Sequence, residues 1–139
     1  MKLRIAIGIA VTIALQALLQ HAADLLHPAP FIVADTDALF RSIAATSGLI
    51  FFISVAVGSL IAKGRFTGAA IALWSIYWAA TLVILAAIAS PAVELTTIFQ
   101  MARFNWLGLT STLLASIFGA LLGKLLSRVL WPHSSLAAT

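Results

Sequence analysis

Charge is what this sequence has least of. Among 139 residues only 8 are Lys or Arg and 4 are Asp or Glu, 9% in all, against about 25% in ordinary soluble domains. So few charges cannot cover a water-facing surface, which excludes a soluble domain and a disordered tail. The net charge of +4 comes from scattered residues, so no basic patch for nucleic acid forms. Cysteine is absent, which excludes disulfides, thiolate metal sites and cysteine nucleophiles. Also missing are a fixed-period repeat, an H-E-x-x-H motif, a glycine-rich phosphate loop and a G-x-S-x-G elbow.

What fills the chain is apolar: 63% of residues, where about 45–50% is usual. A membrane helix needs about 20 largely apolar residues, and four stretches qualify, at about 5–26, 40–62, 68–90 and 106–128. Backbone amides facing lipid must bond within their own segment, so these stretches should be helices. The expected fold is an all-α membrane protein, one integral membrane domain over 1–139. Its four transmembrane helices would form an antiparallel bundle.

Lysine and arginine set the orientation. If the spans alternate, Lys2, Arg4, Lys63, Arg65, Lys124 and Arg128 share one side, and only Arg41 and Arg103 lie on the other. Both termini should therefore be cytoplasmic. Lys2 and Arg4 also resemble the start of a secretory signal. However, the apolar run exceeds the usual length of about 7–15 residues. Cleavage after Ala22 or Ala23 would put Gln20 or His21 where a small residue is required. An uncleaved helix is expected, and the compact chain without eukaryotic sorting cues points to a bacterial inner membrane.

Between the spans, His27-Pro28-Ala29-Pro30 should stop the first helix near Leu26. Asp35 or Thr36 can cap the second, with Asp37 and Arg41 at ion-pair spacing. The short link Lys63-Gly64-Arg65-Phe66-Thr67 makes spans two and three a hairpin. Ser90-Pro91 reads as a cap followed by proline at the first helical position. A short interfacial helix over 91–103 is expected there, in competition with a kinked continuation of span three. Trp106 and Trp131 bracket span four as interfacial anchors.

Helices associate in lipid by close backbone approach, which small residues permit. Span four carries Ser111, Ala115, Gly119, Gly123 and Ser127 at four-residue spacing, with a literal G-x-x-x-G. This ladder serves either packing within the chain or contact with a second copy or a larger membrane complex. Span one offers Ala6, Ala10, Ala14 and Ala17, and span two Ala44, Ser47, Ser54, Gly58 and Ala62.

Chemistry-bearing residues are sparse, and no charged side chain occupies the centre of any span. Such groups are usually kept for coupling or gating, so a proton-coupled transporter is disfavoured. Thr12, Gln16, Gln20 and Asp24 form a drifting stripe on span one, a route for solute if the chain oligomerises into a transporter or channel. His21, Asp24 and His27 have spacing that can share a metal, the basis for an outer-face sensor. Interfacial location explains them as well. Haem is disfavoured because only His21 approaches the hydrocarbon, and no cofactor is implied. Trp74, Tyr77 and Trp78 share a face that either lines a site for a flat apolar ligand or fills space. No histidine or acid is placed to activate a serine. The expected role is non-catalytic: an accessory, assembly or scaffold subunit in the bilayer.

Overall fold

The computed structural model describes residues 2–26, 36–63, 65–89 and 94–131, with residues 36 and 37 in backbone only. The described residues form helices α1 (Lys2–Leu26), α2 (Thr36–Ile61), α3 (Thr67–Ala89), α4 (Leu95–Phe104) and α5 (Trp106–Leu130). Four of them, α1, α2, α3 and α5, are long and apolar enough to cross a membrane. No strand occurs among the described residues. Long runs without a charge or proline leave the helix as the structure that satisfies every amide internally.

The four long helices fall within a few residues of the apolar stretches expected to span, but the segment after α3 differs. Glu94 is extended (φ −101, ψ 152) and starts α4 without a side-chain cap. The short helix is therefore Leu95–Phe104 rather than 91–103, and it is separate from α3. Ser90 and Pro91 lie outside the described residues. A single residue, Asn105, divides α4 from α5. Its backbone N–H and its side-chain Nδ2 both donate to the Met101 carbonyl.

The most extensive interface joins α2 and α5. Ser111 donates to the Ala44 carbonyl at 3.2 Å, Gly119 lies against Phe52 and Ala56, and Gly123 against Ala56, Ser59 and Leu60. Partner numbers rise together, so the two helices run parallel. A Cβ at Gly119 would sit 2.6 Å from the Phe52 carbonyl oxygen, and one at Gly123 would overlap that of Ala56. Backbone thus meets backbone, and the Ser59 hydroxyl crosses the seam to the Ala120 carbonyl at 2.8 Å.

The other face of α2 receives α1. Gly8 meets Gly58 and Ala62, while Thr12 meets Gly58 and donates across to the Ser54 carbonyl at 3.3 Å. Here partner numbers fall as α1 rises, so α1 opposes α2. The expected alanine face of span one is not the packed one. Ala6, Ala10, Ala14 and Ala17 are exposed, whereas Gly8 and Thr12 are buried. The reason is distance: a Cβ at Gly8 would stand 2.7 Å from the Gly58 oxygen, so alanine there would hold the helices apart.

Spans two and three also depart from the expected hairpin. Their backbones stay apart, and α3 meets the rest of the chain chiefly through α5 and α4. It has no glycine beyond Gly68 at its start, so no surface on it lets α2 approach as α5 does. The two helices converge near the link, where Phe66 is fully buried among Val55, Ala62, Ala70 and Ala120. Lys63 turns the chain there with a left-handed φ of 51, and its Nζ stands 5.7 Å from the Trp131 ring centroid, within cation–π range.

Gly58→Ala is expected to loosen α1 while sparing the α2–α5 seam, because the new methyl overlaps Thr12 Oγ1 and lies 2.8 Å from the Gly8 oxygen. The cost should be about 1–3 kcal/mol. Hydrogen exchange in detergent should show faster opening confined to α1.

Candidate functional site

The site grows from one hydroxyl. Thr112 is fully buried on α5 and donates to the Gly108 carbonyl one turn back, at 2.6 Å. Its oxygen accepts the indole N–H of Trp78 at 2.8 Å and that of Trp74 at 3.1 Å. A threonine hydroxyl has one proton and two lone pairs, so this one is saturated. Two tryptophans of α3 are thereby pinned to one point on α5. Gly108 makes room, since a Cβ there would stand 3.2 Å from the Trp78 ring.

Further rings extend this wall. Tyr77 packs edge-on to Trp78 at 5.8 Å and to Phe51 of α2 at 5.0 Å. Near the start of α2 and the end of α4, Phe40 meets Phe104 edge-on at 5.1 Å. Between these clusters lies a cleft of about 200 Å³. Helix α2 contributes Phe40, Ile43, Ala44 and Ser47 to its lining. Tyr77, Trp78 and Thr81 come from α3, and the α4–α5 corner adds Phe104, Asn105, Leu107 and Gly108 as well as Thr112. The lining is aromatic, aliphatic and hydroxylic, with one amide. It suits the enclosure of apolar matter. The chain matches no protein-family model, no curated protein and no solved structure.

The sequence-derived candidates fall in separate places. Tyr77 and Trp78 line the cleft, and Trp74 supports it through Thr112. Ser111, Gly119 and Gly123 lie on the α2 seam, and Ala115, on the same helix, is half-buried. Gln16 is half-buried on α1, while Gln20, His21 and Asp24 are exposed, with Gln20 donating to Asp24 at 3.0 Å. The α1 stripe and the α3 aromatics are not brought together, because α1 touches α3 only slightly. Among the described residues no group of three His, Asp or Glu could hold a metal ion. His27 lies outside them, as does the Asp37 side chain expected to pair with Arg41.

Sequence reasoning missed Thr112 as a hub and Phe40, Phe104 and Asn105 as cleft residues. Gly108 followed by Thr112 one turn later, opposite a tryptophan-rich span, was the available signal.

Proposed function

We propose that this chain is a non-catalytic accessory or assembly subunit of the bilayer, working through contacts between its helices and those of partners. A bacterial inner membrane is the setting, with both termini cytoplasmic. One observation carries the reading. The buried hydroxyls of Thr12, Ser59, Thr112, Ser116 and Ser127 each donate to a backbone carbonyl. Only the Ser54 hydroxyl is buried without a partner among the described residues. Of these bonds, the one from Ser59 to the Ala120 carbonyl joins two helices, as does a second contact from Thr12 to the Ser54 carbonyl. The others close within their own helix, so these hydroxyls are engaged by backbone rather than left open to a solute. The exposed apolar residues of α1 and α3, among them Leu18 and Ile76, are then the surfaces on offer to lipid or to partner helices.

Two measurements test this. Solubilised gently from native membranes, the protein should co-purify with a stoichiometric membrane partner. Alone in liposomes, it should pass no solute, and Gln16→Leu with Gln20→Leu should change nothing. Solute flux by the isolated protein that disappears in that double variant would replace this reading with a transporter, and solitary migration from native membranes would also overturn it.

A further inference from the structure

We propose that the cleft between α2, α3 and the α4–α5 corner holds one acyl chain of an anionic membrane lipid, whose headgroup rests beside Arg41 and Arg103. The proposal requires the helices to sit in a bilayer and is independent of the accessory-subunit reading.

Size is the first argument. At about 200 Å³ the cleft is smaller than sites that enclose whole drug-sized ligands, about 300–1,000 Å³. It accommodates part of a molecule, with the remainder outside. Direction is the second. Phe40 lies near the start of α2 and Phe104 ends α4, whereas Trp78 lies halfway along α3. The cleft therefore runs from the helix ends to mid-span, the course of a lipid tail. An empty apolar recess at that depth would forfeit dispersion contacts that a chain restores.

Wall chemistry is the third argument. At the deep end the two indole N–H groups and the Thr112 hydroxyl are satisfied by one another and by Gly108. The Trp78 ring thus lines the cleft with its N–H already taken, and the Thr81 hydroxyl is taken by the Tyr77 carbonyl, which favours an alkyl chain over a ring bearing carbonyl groups. The Asn105 amide lies beside Phe104 at the mouth, level with the ester region of a lipid.

Charge selects the head. Phe40 is followed by Arg41 and Phe104 is preceded by Arg103, and the contact between the two rings brings these segments together. Both arginines are exposed, and among the described residues no ion pair occupies either. Of the described acids at this end, Asp24 accepts from Gln20 and Glu94 from Thr96, at the far end of α4, while Asp35 and the Asp37 side chain lie outside the described residues. Two guanidinium groups at a bilayer surface favour a phosphate without a compensating cation.

Native mass spectrometry of the full chain in mild detergent provides the test, titrating phosphatidylglycerol against phosphatidylcholine of identical chains. Phosphatidylglycerol should be retained roughly tenfold better, and glycerol phosphate, which has no tail, should not compete. Arg41→Gln with Arg103→Gln should abolish the preference and leave phosphatidylcholine binding unchanged. Ser47→Phe, which fills the cleft from α2, should abolish retention of both lipids. A measurement that does not depend on that variant folding uses bilayers containing chain-brominated lipid. Brominated phosphatidylglycerol should quench tryptophan fluorescence more than the same fraction of brominated phosphatidylcholine, and the arginine double variant should erase the excess. Equal retention of the two lipids, a preference that survives loss of both arginines, competition by glycerol phosphate, or full retention in folded Ser47→Phe would each overturn the proposal.

Discussion

Gly123→Leu should destroy the folded monomer. A Cβ at this position overlaps the Ala56 carbonyl oxygen, stands 2.6 Å from the Ser59 Cβ and 2.9 Å from the Leu60 nitrogen. Two of those three atoms are backbone, so no change of rotamer relieves the clash. Overpacking typically costs 1–3 kcal/mol, and this case should reach about 3 kcal/mol or more, because separating α2 from α5 also breaks the Ser59 bond to Ala120. Thermal unfolding in detergent, followed by circular dichroism, measures the loss. Gly119→Leu should behave alike, its Cβ lying 2.6 Å from the Phe52 oxygen. A stable monomer that merely loses an oligomer would assign this ladder to contact between chains instead.

The second large effect belongs to Thr112→Val. Valine matches threonine in shape and removes the oxygen that accepts both indoles. Trp78 is buried and Trp74 half-buried, and lipid supplies no replacement acceptor. An unsatisfied buried donor costs about 1–3 kcal/mol, so the two together should cost about 2–4 kcal/mol. Tryptophan emission should shift to the blue as the indoles lose their acceptor. Thr112→Ser, which keeps the hydroxyl, should restore both stability and the emission maximum. A valine variant with the parent's melting point and spectrum would show that the shared hydroxyl does not hold α3 to α5.

Much of the fold could be read from residue order. Hydropathy located the four long helices because lipid sets a length that few other environments demand, and α5 announced its seam through Gly119 and Gly123. The choice of face on α1 was less legible. Four alanines looked more like an interface than one glycine followed by a threonine. Packing follows the closest backbone approach, which Gly8 alone permits opposite Gly58. Helix α3 is apolar on all sides, so its pattern could not say which neighbour it would meet. The cleft was the least legible feature. Its mouth joins Phe40 to Phe104, residues far apart in the chain whose proximity depends on α4 lying against α3 and bringing its last residue to the start of α2. Tyr77 and Trp78 could be singled out as aromatics, but only the tertiary arrangement gives them a space to line.

The parallel pairing of α2 with α5 has a consequence for biosynthesis. Ser59 and its acceptor Ala120 are separated by 61 positions, and at about 5–20 residues per second translation takes roughly 3–12 s to cover that distance. During this interval α2 has left the ribosome while the helix that closes over its seam has not been made. Insertion and assembly are thus separate events for this polypeptide: its core can close only after the last long helix emerges.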